Sequence, residues 1–408
     1  MINFSRIKSA CFFLLVLMHY TLQAQTRLQP GTWRVSLKLN DTTELPFNME
    51  VHEKSIDIIN AEERIAVDEI SYSGDSVFIR LPIFDSEFRG KFSQQEMSGI
   101  FFNYARKNKN RIPFYADYGW GFRFFDKPAR TTRDFSGRWE VEFAGDSPET
   151  KTSVGEFKQD GNRITGTFLT LTGDYRYLQG DVAGDQFFLS CFDGSHAFLF
   201  TATLQPDGSL KGDYFSGQHW HDTWIARRNE QVKLSNADSL TFLKPGYDNI
   251  HFTFPDADSN LVSLSDKKFQ HKIVIVQIMG TWCPNCMDET AFLAPFYKKY
   301  KDKGVEIIGL DFERTEEFSK VKQNLLRLKK RYDIDYTLLY AGSTDAELRL
   351  KALPMLNRIL SFPTTIFIDR NNKVRRIHTG FSGPATGEHY EKWKNDFDRS
   401  ISELLKEK

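Results

Sequence analysis

The chain has 408 residues, long enough for two or three domains, and its 54 Lys and Arg equal its 54 Asp and Glu, so no basic excess marks a nucleic-acid binder. Four cysteines in a chain of this length are too few for a disulfide scaffold. Phe, at 36 residues against 15 Tyr, gives an aromatic content suited to soluble β-rich domains with aromatic interiors.

The N-terminus reads as an export signal. Arg6 and Lys8 form a basic start, Ala10 to Met18 an unbroken apolar run, and Leu22-Gln23-Ala24 a small-residue cleavage point. The run is far shorter than the roughly 20 apolar residues that a membrane span needs. Cys11 begins the run instead of following it, which argues against lipid attachment there. Residues 1–24 are therefore expected to be removed on export, leaving Cys191, Cys283 and Cys286.

From 28 to 229 the pattern is short strands separated by turn residues, with no helical period. Trp33–Leu39, Ser76–Leu81 and Arg163–Leu169 read as strands, and Pro206-Asp207-Gly208 as a turn. The region is also doubled. Gly31-Thr32-Trp33-Arg34-Val35 matches Gly137-Arg138-Trp139-Glu140-Val141, and Gly74–Ile79 matches Gly184–Leu189. Met97–Phe101 matches Leu210–Tyr214 by pattern. A Gly-x-Trp opening followed by strands such as Ile164-Thr165-Gly166-Thr167-Phe168 resembles small calycin-type barrels, the lipocalins and avidins among them. The spacing predicts two all-β domains, antiparallel barrels or sandwiches, at 28–128 and 135–229. Residues 230–247 are polar and read as a linker.

Residues 248–408 change to strand–helix alternation. A β-branched run from Ile273 reads as a strand buried on both faces and breaks at Gly280. Further strands are expected at Val305–Leu310, Tyr336–Tyr340, Thr364–Asp369 and Val374–His378. Helices are expected after Cys283, from Thr315 (as N-cap) to Arg331, over Asp345–Leu356, and after Gly383-Pro384. The turn Thr281-Trp282-Cys283-Pro284-Asn285-Cys286 joins the first strand to its helix. Unpaired N–H groups at a helix start favour the thiolate of the more N-terminal sulfur, Cys283. Pro284 suits the first turn, where no N–H is needed, and the two-residue spacing lets Cys286 reach a mixed disulfide on Cys283. A four-thiolate zinc site would need a second pair, and only Cys191 remains. Cys191 reads as a small buried hydrophobe. His219 and His221 alternate along a strand without a third ligand, so aromatic strand packing is expected there and no metal.

The combination of Gly280-Thr281-Trp282-Cys283, Cys286 and Glu289 with Pro363-Thr364-Thr365 and Phe367-Ile368-Asp369-Arg370 resembles secreted thioredoxin-like thiol–disulfide oxidoreductases of the TlpA/ResA type, over 248–408. The resemblance implies that Glu289, one helical turn beyond Cys286, lies in a cavity near the second sulfur and handles its proton; the alternative is a solvated first-turn acid. It implies a cis bond before Pro363 and a substrate groove formed by Trp282, Pro284, Phe362 and Pro363. Phe362 and Gln277 depart from the family pattern, Phe362 in size and Gln277 by replacing an acid or Asn.

Together these features predict an exported, periplasmic or cell-envelope disulfide reductase: two all-β domains before an α/β thioredoxin-like domain, with catalytic Cys283, Cys286 and Glu289. The expected partners are protein thiol or disulfide substrates and an upstream membrane or periplasmic reductant, with no nucleic acid, metal or diffusible cofactor. The rival expectation is a binding protein whose β domains capture a lipophilic or carbohydrate ligand, the redox domain being an accessory.

Overall fold

The computed structural model describes residues 27–147 and 151–407. The expected export signal lies outside them. No described helix is long and apolar enough to cross a membrane.

Among the described residues the β region consists of two nine-stranded antiparallel sheets, one within 31–118 and one within 137–228. Strands that follow each other in the chain are mostly neighbours in space, and in each sheet the first strand pairs with both the second and the last. The second sheet closes. Ser153–Asp160 pairs with Arg163–Thr170, which pairs in turn with Leu178–Ala183, and the short Gly173–Asp174 strand hangs from the ring. The first sheet has the same order but stays open, because no described ladder joins Glu63–Val67 to Glu69–Ser73.

The matched sequence segments occupy equivalent strands. Trp33 and Trp139 lie on the opening strands, Ser76–Arg80 and Gln186–Phe192 on the sixth, Glu96–Asn103 and Leu210–Ser216 on the eighth. Both indoles are buried, and each donates its N–H to the carbonyl four residues earlier, Gln29 or Phe135, at 2.9 Å. Gly31 and Gly137 start these strands at φ 129° and 104°, where a side chain would be strained. The duplication is thus visible in a shared strand order, and the expected closed barrel in the second unit alone.

Inside the second ring many of the inward residues are aromatic and touch one another. Phe168 stacks on Phe200 at 4.4 Å, Phe200 on Tyr214 at 4.6 Å, and Trp224 meets Phe168 edge-on at 5.3 Å. Rings in such contact fill the space where a carried ligand would sit. Cys191 is free and fully buried beside them. His219 falls in the turn before Trp220–Arg228, not on the strand as expected, and His221 alone is on it, bonded to Asp213 at 2.8 Å and stacked on Phe215. No described group of three His, Cys, Asp or Glu side chains is placed to hold a metal.

The C-terminal sheet runs Thr337–Ser343, Val305–Glu313, Ile273–Met279, Thr364–Ile368, Val374–Thr379 in spatial order. Ile273–Met279 is buried along its whole length, as its β-branched run requires, parallel to Val305–Glu313 and antiparallel to Thr364–Ile368. Helices Pro284–Tyr300, Phe318–Tyr332, Ala346–Ala352 and Glu388–Lys406 accompany it. The second starts later than expected. Thr315 uses its hydroxyl on the N–H of Glu317 in a local turn, and Glu317 takes the N-cap position. The third ends at Ala352, short of the expected Leu356, because Leu353 leaves helical geometry one residue before Pro354. Residues 230–247 lie against this domain: Asp238 bonds Arg376 at 2.9 Å and His378 at 2.7 Å, and Leu243 bridges Leu356.

One buried side chain joins all three units. Arg176, after the Gly173–Asp174 strand, is ion-paired with Glu63 of the first sheet and with Asp288 of the Pro284–Tyr300 helix, and lies 3.3 Å from Asp193 in its own ring. Removing a cation from such a cluster strands buried carboxylates, which typically costs about 3–5 kcal/mol. Arg176→Met should therefore lower the unfolding free energy by about that amount, read from urea titrations against wild type. A loss below about 1 kcal/mol would mean that the cluster is as dispensable as a surface pair.

Candidate active site

The Pro284–Tyr300 helix begins where the buried central strand runs out. Cys283 is its N-cap, Pro284 its first residue, and the backbone N–H of Cys286 donates to Cys283 Sγ at 3.2 Å. Cys283 and Cys286 are disulfide-bonded, with Cα atoms 5.3 Å apart. In the reduced protein the same N–H and the helix dipole would favour negative charge on Cys283. Cys283 keeps 5% exposure and Cys286 none, so only the first sulfur is open to approach.

The Phe362–Pro363 bond is cis, and the Phe362 carbonyl lies 3.4 Å from Cys283 Sγ. Trp282 packs edge-on against Phe362 at 5.3 Å, and its N–H is held by the Phe312 carbonyl at 2.9 Å. Trp282, Cys283 and Phe362, from distant parts of the sequence, thus line one cavity, while Pro284, Cys286 and Pro363 are buried. The bulk of Phe362 forms one wall of that cavity.

Glu289 is fully buried, so it is no solvated first-turn acid. Thr365 donates to its Oε1 at 2.5 Å and Gln277 to its Oε2 at 2.9 Å. Burial pushes its pKa up to about 7, against the lowering effect of these two donors. Gln277 also donates to the Cys286 carbonyl at 3.2 Å and accepts from Thr290. The residue that departed from the family pattern therefore ties the acid to the second cysteine. A buried acid pair, Asp311 and Glu313, flanks the other side of the turn. Thr281 gives its N–H to Asp311 at 3.2 Å and its hydroxyl to Glu313. Burial holds both carboxyls above their usual range.

Sequence reading did not foresee that the second β ring covers this face. Ser195 donates to the Trp282 carbonyl at 2.8 Å, Asn285 donates to the Asp174 carbonyl at 3.2 Å, and Ser361 donates to the Thr172 carbonyl. The Asp174 carboxylate receives the N–H of Gly383 at 2.7 Å. Between the Gly173–Asp174 hairpin and the dithiol remains a cavity of about 330 Å3, lined by Tyr175, His196, Phe198, Trp282, Cys283 and Phe362 among others. Nothing local in Thr172-Gly173-Asp174 signals such a contact, since its partners are more than a hundred residues away.

Comparison with known proteins agrees with this geometry. A family model described as Redoxin matches residues 248–392. The thiol-disulfide oxidoreductase ResA of Bacillus thuringiensis is 30% identical over 124 residues, 30% of this chain and 63% of the relative. ResA of Bacillus subtilis is 29% identical over 138 residues, 34% of this chain and 69% of the relative. The crystal structure of a thiol:disulfide interchange protein of the thioredoxin family from Chlorobium tepidum is 21% identical, covering 39% of this chain and 95% of that one, with a TM-score of 0.30. A central strand delivering a dithiol to a helix N-terminus beside a cis-proline, on a segment matched in this way, has one reading: residues 248–392 form a thioredoxin-like domain of the Redoxin family, of the TlpA/ResA type.

Proposed function

We propose that the chain is an exported thiol–disulfide oxidoreductase that reduces protein disulfides in the periplasm or cell envelope through Cys283 and Cys286. The observation that carries this reading is the Cys286 N–H on Cys283 Sγ at a helix N-terminus, with the Phe362–Pro363 cis bond beside it. The relatives named as oxidoreductases support it for the C-terminal domain, and extending it to the whole chain is part of the proposal.

In the reductive direction the Cys283 thiolate attacks a substrate disulfide. One substrate sulfur leaves as a thiolate and the other stays bonded to Cys283. Cys286 loses its proton, attacks Cys283 Sγ, and releases the second substrate thiol. Glu289, anchored to the Cys286 carbonyl through Gln277, is the group that takes up the Cys286 proton. Two electrons thus leave the dithiol, and an upstream membrane or periplasmic reductant restores it, with no diffusible cofactor. Trp282, Pro284, Phe362 and Pro363 form the groove in which the substrate lies.

Cys283→Ala is expected to abolish reduction of insulin by the full chain, while Cys286→Ala accumulates substrate as a mixed disulfide visible on non-reducing gels. Trapping by Cys283→Ala in place of Cys286→Ala reverses the two roles.

The same burial of Glu289 has a stability signature. Its folded pKa of about 7 lies above the unfolded value, so protonated Glu289 favours folding and the contribution is lost as pH rises. Relative to wild type, Glu289→Gln should gain about 3 kcal/mol of stability between about pH 4.5 and pH 7, whatever its constant offset. The resolving step should slow in this variant more than the first attack. Parallel stability curves across that pH window count against a protonated Glu289.

A further inference from the structure

Positive charge gathers beside the dithiol face. The turn after Glu96–Asn103 brings Arg106 and Lys107 against Arg314, which follows the Val305–Glu313 strand. These three residues line both of two neighbouring cavities, of about 310 Å3 and 500 Å3. The smaller one also takes in Ser195, Thr281 and Trp282. Among the described residues neither guanidinium is hydrogen-bonded or ion-paired, and Arg314 lies over the Trp282 ring at 3.9 Å.

Some of the acids lining the cavities are engaged elsewhere. Asp85 pairs with Arg80 at 3.1 Å and Glu313 accepts from Thr281, leaving Asp345, which also caps the N–H groups of Glu347 and Leu348, and Glu316 to face Arg106, Lys107, Arg314 and Lys320. Burial, then repulsion from Arg106, pulls the Arg314 pKa down to about 10. His219 in the nearby turn is pushed to about 3 by burial and then by Arg106, His196 and Arg314. Burial leads both shifts and positive neighbours come second, so Arg106 and Arg314 crowd each other in a partly dry place, a repulsion that an incoming anion would relieve.

This cleft and the cavity at Cys283 lie on either side of Trp282, and Ser195 and His196 line one each. The hairpin above Cys283 leaves room for a slender segment, not for a flat folded surface. We propose that Arg106 and Arg314 receive the carboxylate of an Asp or Glu next to the substrate cysteine, so that the preferred substrates are protein disulfides on extended, acidic segments. This rests on the redox reading above and names the substrate class for that site. Arg106 and Arg314 are then specificity residues, and the chemistry at sulfur stays that of Cys283 and Cys286.

The test uses the full chain, reduced and freed of reductant, in single turnovers. Its substrates are two short peptides differing only by Glu or Gln beside a cysteine held in a mixed disulfide with thionitrobenzoate. The Cys283 thiolate breaks that bond, Cys286 completes the turnover, and thionitrobenzoate is released as a coloured thiolate. Each rate is divided by that of the same peptide with dithiothreitol. The Glu peptide should react about tenfold faster than the Gln peptide at low salt, with the preference shrinking as salt rises. Arg106→Gln should remove most of the preference, and Arg106→Lys should keep part of it. Equal normalised rates in wild type, or a preference untouched by Arg106→Gln, overturn the proposal while leaving the redox reading in place. Failure to reduce either peptide or insulin removes both.

Discussion

A single buried guanidinium fixes how the three parts of this molecule sit together. Arg176 cannot leave its pocket without abandoning Glu63, Asp193 and Asp288, which come from the first sheet, the second ring and the dithiol-bearing helix. Such a cluster contributes little net stability over an apolar substitute, but its loss is costly, so it selects one arrangement over others. Asp288 is two residues beyond Cys286, and Asp174 is two residues before Arg176. The same anchor therefore sets both the first turn of the helix and the hairpin above it. The planar fork of Arg176 hydrogen-bonds Asp288 and Glu63 through its two terminal nitrogens and leaves Nε 3.3 Å from Asp193, so that three carboxylates surround one cation.

The parts of the site that could be read from the sequence are those with local causes. A β-branched run ending in Gly280-Thr281-Trp282-Cys283-Pro284 states a buried strand, a break and a helix start within a dozen residues. Phe362-Pro363 stands just before another β-branched strand, and the observed cis bond lies there. Gln277 was legible only as a departure. Its use depends on Glu289 and Thr290 lying one strand-to-helix crossing away, which no residue type announces. The covering hairpin was invisible for a stronger reason. Thr172, Gly173 and Asp174 are ordinary turn residues, and their partners Ser361, Asn285 and Gly383 are brought to them only by tertiary docking. A helix boundary slipped by two residues at Thr315, where a hydroxyl chose a local turn over a cap.

The two β units show how one topology can be used in different ways. In the second, aromatic side chains from most strands meet in the middle, and the ring closes around them. In the first, Phe47 stacks at 4.5 Å on Phe192, a residue of the other unit, so part of its core is supplied from outside. Arg123 makes the same crossing, donating to Ser190 at 2.9 Å and to the Ile59 carbonyl at 2.9 Å. The packed interior of the second ring leaves no space for a carried ligand, whereas a cavity of about 970 Å3 opens between the two units, lined by Asn48, Ile59, Phe122, Arg123, Ile164 and Gly180 among others. The second unit walls one side of the dithiol, through Ser195 on the Trp282 carbonyl and Asn285 on the Asp174 carbonyl.

The open seam of the first sheet has a consequence for behaviour in concentrated solution. Among the described residues, Glu63–Val67 and Glu69–Ser73 end the sheet on its two sides with only Asp68 between them. Unpaired strand edges are templates on which a second molecule can extend the sheet and start an aggregate. Each of these strands has five residues, too few for a strong template, and each places a charge on the outside, Arg64 on one and Glu69 on the other. Exchanging those charges for Val or Thr would turn a guarded seam into a sticky one, and solubility would be lost before stability.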